Sequence, residues 1–336
     1  MTPTAPMASR RRVLTLLAAT AGLPLLCAAD KALATASLFR WDGTSLGSPS
    51  RLLLYHRDRS AALRIVARCI DEIERLERIF ALYRPDSELA RLNRAGRLET
   101  PSIELLSVLS LSQHLSALSG GAFDVTVQPL WDVYASHFFA TASPAPEGPA
   151  PDAIERAVRL VDCRGIDVER RRIALARPGM GVTLNGIAQG YVADRLIEIL
   201  RGHGCDGVLA DLGRSEMRAL GLHPGGRPWR VGLADPRQPA ALAATLELRD
   251  RALCTSGGYG TKFEATGRFH HLFDPASGRS SSRYIGVSVM APKAMIADAL
   301  STALYVASPN RQPQMLAAFP GVAVRLTLAD GSVQHL

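Results

Sequence analysis

The residues best suited to chemistry in this 336-residue chain fall into five short polar and glycine clusters within apolar surroundings. The sharpest is Ala297-Asp298-Ala299-Leu300-Ser301-Thr302-Ala303. On a helix, Asp298 and Thr302 stand four apart and share a face. A carboxylate and a hydroxyl on an apolar helix need partners. They bond each other, or they offer two hard oxygens to Mg²⁺, which takes few protein ligands and keeps places for phosphate oxygens. A second cluster joins Cys254-Thr255-Ser256-Gly257-Gly258 to His270-His271-Leu272-Phe273-Asp274-Pro275-Ala276-Ser277-Gly278. Its Asp-Pro-x-x-Gly end is a turn. His271 is open to several roles: general base, ligand contact, or a histidine that only holds a turn.

The other three clusters are less pointed. Thr183-Leu184-Asn185-Gly186-Ile187-Ala188-Gln189-Gly190-Tyr191 opens a helical pattern. Small residues and free backbone N–H groups at a helix start suit an anion, and they equally suit tight packing on a sheet. Ser119-Gly120-Gly121-Ala122-Phe123-Asp124 lets backbone approach a ligand, or caps a helix that runs into a strand. Tyr83-Arg84-Pro85-Asp86-Ser87-Glu88, with Asn93 after it, also reads as a plain turn. Familiar devices are missing: there is no G-x-G-x-x-G, no P-loop spacing, no G-x-S-x-G and no H-E-x-x-H.

The elements that must position these clusters follow from periodicity. Arg51–Tyr55 reads as a strand. Ser60 is the expected cap of a long helix with a stripe of Leu63, Val66, Ala67, Ile70, Ile73, Leu76, Ile79 and Phe80, stopped at Pro85-Asp86. A second helix is expected over Ser102–Leu118, ended by Gly120-Gly121, and further helices at Ile187–Arg201 and Met295–Val306. Strands are expected at Gly165–Val168, Arg172–Leu175, Val208–Asp211, Trp229–Leu233 and Ala243–Leu248, and a Pro/Ala-rich surface loop at 141–152. Strands outnumber helices without regular alternation, which predicts an α+β fold with antiparallel sheet.

Hydrophobic residues make up 47% and charged residues 21%, the range of a globular protein. Residues 1–34 form an expected twin-arginine export signal: Ser9-Arg10-Arg11-Arg12 precedes apolar Val13–Leu26, and Ala32-Leu33-Ala34 offers a cleavage site. The expectation is therefore a periplasmic protein, with residues 35–336 as its one functional domain. Pro24-Leu25-Leu26 before Cys27 lacks the small residues of a lipid-attachment site, so no lipid anchor is expected. Removing the signal lowers the net charge from +8 to about +5. No basic run carries interleaved aromatics, so nucleic acid is not the expected partner. Cys69, Cys163, Cys205 and Cys254 have no metal-ligand or CxxC spacing; disulfides and buried free thiols both remain open.

Taken in order, Y-x-x-D-S-E, G-G-A-F-D, G-I-A-x-G-Y, T-S-G, H-x-x-D-P-x-x-G and A-D-A-x-x-T-A resemble the ApbE family of FAD:protein FMN transferases, from about Leu46 to Val306. The resemblance implies a two-lobed α+β fold and a Mg²⁺-dependent reaction with FAD as substrate. It implies that Leu46 touches the flavin, that Tyr83 packs on the isoalloxazine, and that Ala122, Phe123 and Asp124 line the FAD site. Thr183, Gln189, Thr255, Ser256 and Leu272 join the cofactor contacts. Asp298, Thr302 and the Gly186 carbonyl are the implied Mg²⁺ ligands, and His271 the implied catalytic residue. The implied partner is an acceptor flavoprotein, membrane-associated, with a Thr or Ser that receives FMN. The alternatives are a Mg²⁺-dependent FAD pyrophosphatase and a flavin-binding protein without turnover. Thr183 and Gln189 replace the family's usual Asp and Lys, and Asp211–Glu216 replaces its usual Gly-Gly segment. Gln189 together with the export signal resembles the NosX subgroup associated with nitrous-oxide respiration.

Overall fold

A computed structural model describes residues 36–336 except 142, 214 and 239. The expected export signal and Cys27 lie outside the described residues. The described chain starts with a hairpin, β1 (Ser37–Ser45) and β2 (Ser48–His56). Its turn residues Leu46 and Gly47 have φ of 48° and 81°, the left-handed pair that a two-residue hairpin turn demands. Helix α1 (Arg59–Phe80) is capped by Asp58 rather than Ser60: the Asp58 carboxylate accepts the N–H groups of Ser60 and Ala61. Its buried face is rotated from the predicted stripe. Ile65 and Cys69 are inside, while Ala67 faces solvent.

α1 ends at Phe80, before Pro85 is reached. The presumed turn beyond it contains a further helix, α2 (Glu88–Ala95), capped by Ser87 and closed by Gly96 at φ 69°. Then follow β3 (Arg97–Glu99) and α3 (Ile103–Ser119), with Ser102 as cap and Gly120 in the left-handed conformation at the end. Residues after Val127 form helix α4 (Gln128–Phe139), not a strand. The Pro/Ala-rich loop leads into α5 (Pro151–Val158), with proline in its first turn. β4 (Ile166–Glu169) and β5 (Arg172–Leu175) complete a small sheet in the order β3-β5-β4.

The remaining elements build the site. They are α6 (Ala188–Gly202), β6 (Gly207–Leu212), β7 (Glu216–Gly221), β8 (Trp229–Ala234), β9 (Leu242–Leu248) and β10 (Ala252–Ser256). Short β11 (Phe273–Asp274) and β12 (Arg279–Ser280) precede β13 (Tyr284–Ala291), α7 (Ala294–Val306), α8 (Gln312–Ala317), β14 (Ala323–Leu328) and β15 (Val333–His335). Eight strands form one sheet, β1-β2-β6-β7-β10-β13-β14-β15, with every neighbouring pair antiparallel. The fold is the α+β class that the sequence predicts.

Strand alternation decides which layer each side chain joins. In β10, Ala252 and Cys254 enter the core shared with the helices, whereas Leu253 packs with Trp229 and Val231 of the β8–β9 ribbon on the other face. A separate aromatic cluster, Tyr134, Phe263 and Phe273 with Trp131 beside them, fastens α4 to the 263–273 segment. All four cysteines of the described chain are buried free thiols. Among the described residues no helix is long and apolar enough to cross a membrane.

Candidate functional site

A cavity of about 550 Å³ opens where β10 ends, within the size range of small-molecule pockets. Thr255 and Ser256 of β10, Glu216 at the start of β7, and Gly232 and Leu233 of the ribbon form part of its wall. Ala122, Phe123 and Asp124 enter from the α3–α4 connection, and Thr183 and Gly186 from the loop before α6. His271 and Leu272 close another side, and Asp298 and Thr302 project from α7. Four of the five sequence clusters thus meet around one space.

Helix α7 is held in register by α6. The Asp194 carboxylate accepts the N–H groups of Ala294 and Met295 at 2.9 and 3.0 Å, the first donors of α7. Arg218 of β7 lies 3.3 Å from the same carboxylate, deep in the protein. One turn earlier on α6, the Gly190 N–H donates to Asp298 Oδ2 at 3.0 Å. A Cβ at Gly190 would sit 2.4 Å from the Ala294 carbonyl oxygen, so glycine is what lets the two helices approach. Gly186 fits less tightly: a Cβ there would lie 3.0 Å from Thr302 Oγ1.

Asp298 is buried, and that burial pushes its carboxyl well above the usual range, with the Gly190 hydrogen bond opposing. Glu216 is raised too, first by burial and then by the nearby Asp298 charge. Glu216 had no assigned role from sequence. The available signal was a carboxylate opening the strand Glu216-Met217-Arg218-Ala219-Leu220-Gly221. Among the described residues no three His, Cys, Asp or Glu side chains gather as a metal site. The ligand set that the resemblance implies, Asp298, Thr302 and the Gly186 carbonyl, needs no such cluster and would be the sparse hard-oxygen set that suits Mg²⁺. The observed fit is good: two crowded, buried carboxyl groups in want of positive charge, beside a hydroxyl and a glycine with no side chain to fill the gap.

The two adjacent histidines divide their work. His270 is fully occupied: its Nε2–H donates to the Ser281 carbonyl at 3.0 Å, and Nδ1 accepts the Leu272 N–H at 3.3 Å. His271 fronts the cavity. Its Nδ1 lies 3.2 Å from the Thr261 carbonyl. A carbonyl only accepts, so Nδ1 carries the proton and Nε2 keeps a free lone pair. Burial pushes the His271 pKa down to about 4, assisted by neighbouring His270 and opposed by the Thr261 carbonyl. The ring is therefore neutral at pH 7.

Asp124 borders the cavity but spends both oxygens locally. Oδ1 accepts the Thr126 N–H at 2.7 Å, and Oδ2 the Cys163 N–H at 2.8 Å. Asn93 likewise organises rather than lines: its amide makes a two-way pair with Val182 at 2.7 and 2.8 Å, which holds the strand-like approach to Thr183 and Gly186.

Leu46, Tyr83 and Gln189 do not line the cavity. They cluster at the tip of the β1–β2 hairpin. Leu46 donates its N–H to Glu77 Oε1 at 3.1 Å, and the exposed Tyr83 ring packs over Gly47. Gln189 is buried, gives Nε2–H to the Ser45 carbonyl at 2.8 Å and accepts the Ser45 hydroxyl at 3.2 Å. The cluster touches the cavity wall through Gly213, where a Cβ would lie 3.4 Å from Gln189 Nε2 and 2.5 Å from Glu216 Oε2.

Comparison with known proteins agrees with this architecture. The ApbE family model matches residues 46–326. A Treponema pallidum protein named FAD:protein FMN transferase is 31% identical over 284 residues, covering 78% of this chain and 76% of the relative. A Haemophilus influenzae protein of the same name is 31% identical over 67% of each chain. Among solved structures, the flavin transferase ApbE from Vibrio cholerae superposes with a TM-score of 0.76 at 23% identity, covering 90% of this chain and 97% of that one. The ApbE protein of Thermotoga maritima superposes with a TM-score of 0.75 at 25% identity, covering 88% and 96%. With a family match that spans nearly all of the described chain, bounded by the hairpin turn at one end and β14 at the other, this protein belongs to the ApbE family.

Proposed function

We propose that this protein is a Mg²⁺-dependent FAD:protein FMN transferase. The observation that carries the reading is the meeting, in one cavity, of a neutral histidine and an oxygen-rich helix face in a chain of this family. The reaction joins an acceptor Thr or Ser oxygen to the FMN-side phosphorus of FAD. The bridging P–O bond breaks, and AMP leaves with its electron pair. Asp298, Thr302 and the Gly186 carbonyl would hold Mg²⁺, which supplies charge neutralisation at the phosphate oxygens.

The chain's own residues do the remaining work. His271 Nε2 takes the acceptor hydroxyl proton once that group reaches hydrogen-bond distance. The Thr261 carbonyl keeps the ring in the receptive tautomer. Phe123, Leu272 and Leu233 give the cavity apolar walls that exclude water from the reacting phosphate. Positioning and electrostatics contribute most of the rate in phosphoryl transfer.

The export signal pattern at residues 9–34 supports a periplasmic site of action and an acceptor flavoprotein presented there, membrane-associated as in the family reading. Gln189 supports placement in the subgroup tied to nitrous-oxide respiration. Incubation with FAD, Mg²⁺ and an acceptor domain bearing a flavinylation Thr, followed by intact-mass measurement, tests the reading. A mass gain of FMN less water, abolished by EDTA, is the expected result. AMP release without labelled acceptor would replace the transferase with a pyrophosphatase. Bound FAD with neither product would leave a binding protein.

A further inference from the structure

We infer that Ser301 and Ser256 form a hydroxyl relay that turns the Thr302 proton away from the cavity, so that Thr302 presents oxygen lone pairs to a cation. The inference rests on the proposed reading of Asp298 and Thr302 as a cation site.

The argument is a count of protons. Three hydroxyls lie in series: Thr302 Oγ1 is 3.0 Å from Ser256 Oγ, and Ser256 Oγ is 2.7 Å from Ser301 Oγ. Ser301 Oγ is 2.8 Å from the Asp298 carbonyl oxygen. Each hydroxyl owns one proton, and a carbonyl owns none. Ser301 must therefore donate to Asp298. Its proton is then spent, so Ser256 donates to Ser301. Ser256 has nothing left to give Thr302, so Thr302 donates to Ser256. Reversing the whole series would leave Ser301 and the Asp298 carbonyl 2.8 Å apart with no proton between them, and reversing only the Thr302 link would leave Ser256 and Ser301 so at 2.7 Å.

Ser301 also removes the competing arrangement. A threonine inside a helix ordinarily gives its hydroxyl proton to the carbonyl four residues back, which for Thr302 is that of Asp298. Helix geometry already commits that carbonyl to the Thr302 N–H, and Ser301 takes its second lone pair. Ser301 is buried at 1% exposure, so water does not compete for its bond to the Asp298 carbonyl. The Thr302 proton is left with Ser256 on the neighbouring strand β10. Ser301 is thus a positioning residue: it touches no substrate and acts through Thr302. A hydroxyl that shows lone pairs to the cavity favours a cation at this end and disfavours a bare phosphate oxygen.

Binding of Mn²⁺ to the full-length protein, followed by electron paramagnetic resonance in the absence of FAD, tests the relay. Ser301→Ala is expected to weaken Mn²⁺ about tenfold or more, the scale of groups that orient metal ligands. Ser256→Ala reads the same relay from β10 and serves if Ser301→Ala fails to fold, with thermal melts in EDTA as the check on folding. The double variant is expected to lose no more than about twofold beyond either single one, because both changes act through one hydroxyl. Parent-like Mn²⁺ affinity in Ser301→Ala, or losses that multiply in the double variant, would overturn the relay. Failure of the parent protein to bind Mn²⁺ would instead overturn the cation reading beneath it, and the relay with it.

Discussion

The α7–β10 end of the molecule and the β1–β2 tip contain the same kinds of residue and use them differently. At the tip, Gln189 and Ser45 satisfy each other, and Leu46 is tied to Glu77. At the α7–β10 end, Asp298 accepts the Gly190 N–H on one of its two oxygens, and His271 keeps Nε2 for the cavity. The first arrangement stabilises a hairpin. The second leaves polar capacity inside a buried space, which costs stability unless a ligand uses it. The contrast teaches that family motifs fall both where hydrogen bonding is complete and where it is not, and the proposed chemistry belongs to the second place.

The largest effect should come from the α7–β10 end. Asp298→Ala is expected to lower FMN transfer about a thousandfold, since metal-assisted charge stabilisation is worth several kcal/mol. Its melting temperature in EDTA should match or exceed that of the parent, because a crowded buried carboxyl has gone. Near-parental transfer would break the comparison at its strongest point.

His271→Ala should lower kcat about a hundredfold while FAD affinity stays within about threefold. The same variant reports on pH. Folded His271, near 4, binds its proton less readily than an ordinary histidine at 6.5. As pH falls through that interval the unfolded chain takes up the proton first, so the folded state loses stability, and it regains it as pH rises. Thermal melts from pH 4 to 7 should show a shallower acid loss in His271→Ala, and His270, also lowered by burial, contributes to the loss that stays. An unchanged slope would mean that the ring is not buried as described.

At the tip the balance reverses. Gln189→Ala removes two hydrogen bonds and should cost about 1–2 kcal/mol of stability, read by denaturant unfolding, with transfer at saturating FAD within about threefold of the parent. A collapse of kcat there would move Gln189 into the chemistry. Tyr83→Ala, at an exposed ring, should raise the KM for FAD about fivefold if the ring packs on the flavin, as an aromatic contact of about 1 kcal/mol implies. No change would take Tyr83 out of the flavin contacts.

Much of this was legible in the chain. The α7 pattern placed Asp298 and Thr302 on one face, and Gly120 marked a helix end that the structure has at φ 67°. Periodicity failed where the signal was local or weak. α2 follows a proline and is too short to show a stripe, so Ser87-Glu88 passed for a turn although Ser87 is its cap. α4 has no side-chain cap to announce it. β13 is largely buried and shows little alternation in its first half. The separation of Leu46, Tyr83 and Gln189 from the cavity was beyond reach, because it depends on how the hairpin docks on α1 and α6. Glu216 was beyond reach for a related reason: only β7 pairing with β10 brings it to Asp298's side.

The most direct test is diffraction from crystals soaked with Mn²⁺ and FAD. The account predicts an anomalous peak between Asp298, Thr302 and the Gly186 carbonyl, with the FAD phosphates reaching it from within the cavity. A peak elsewhere, or phosphates seated at the Ser45–Gln189 tip with the Asp298 end empty, would contradict it.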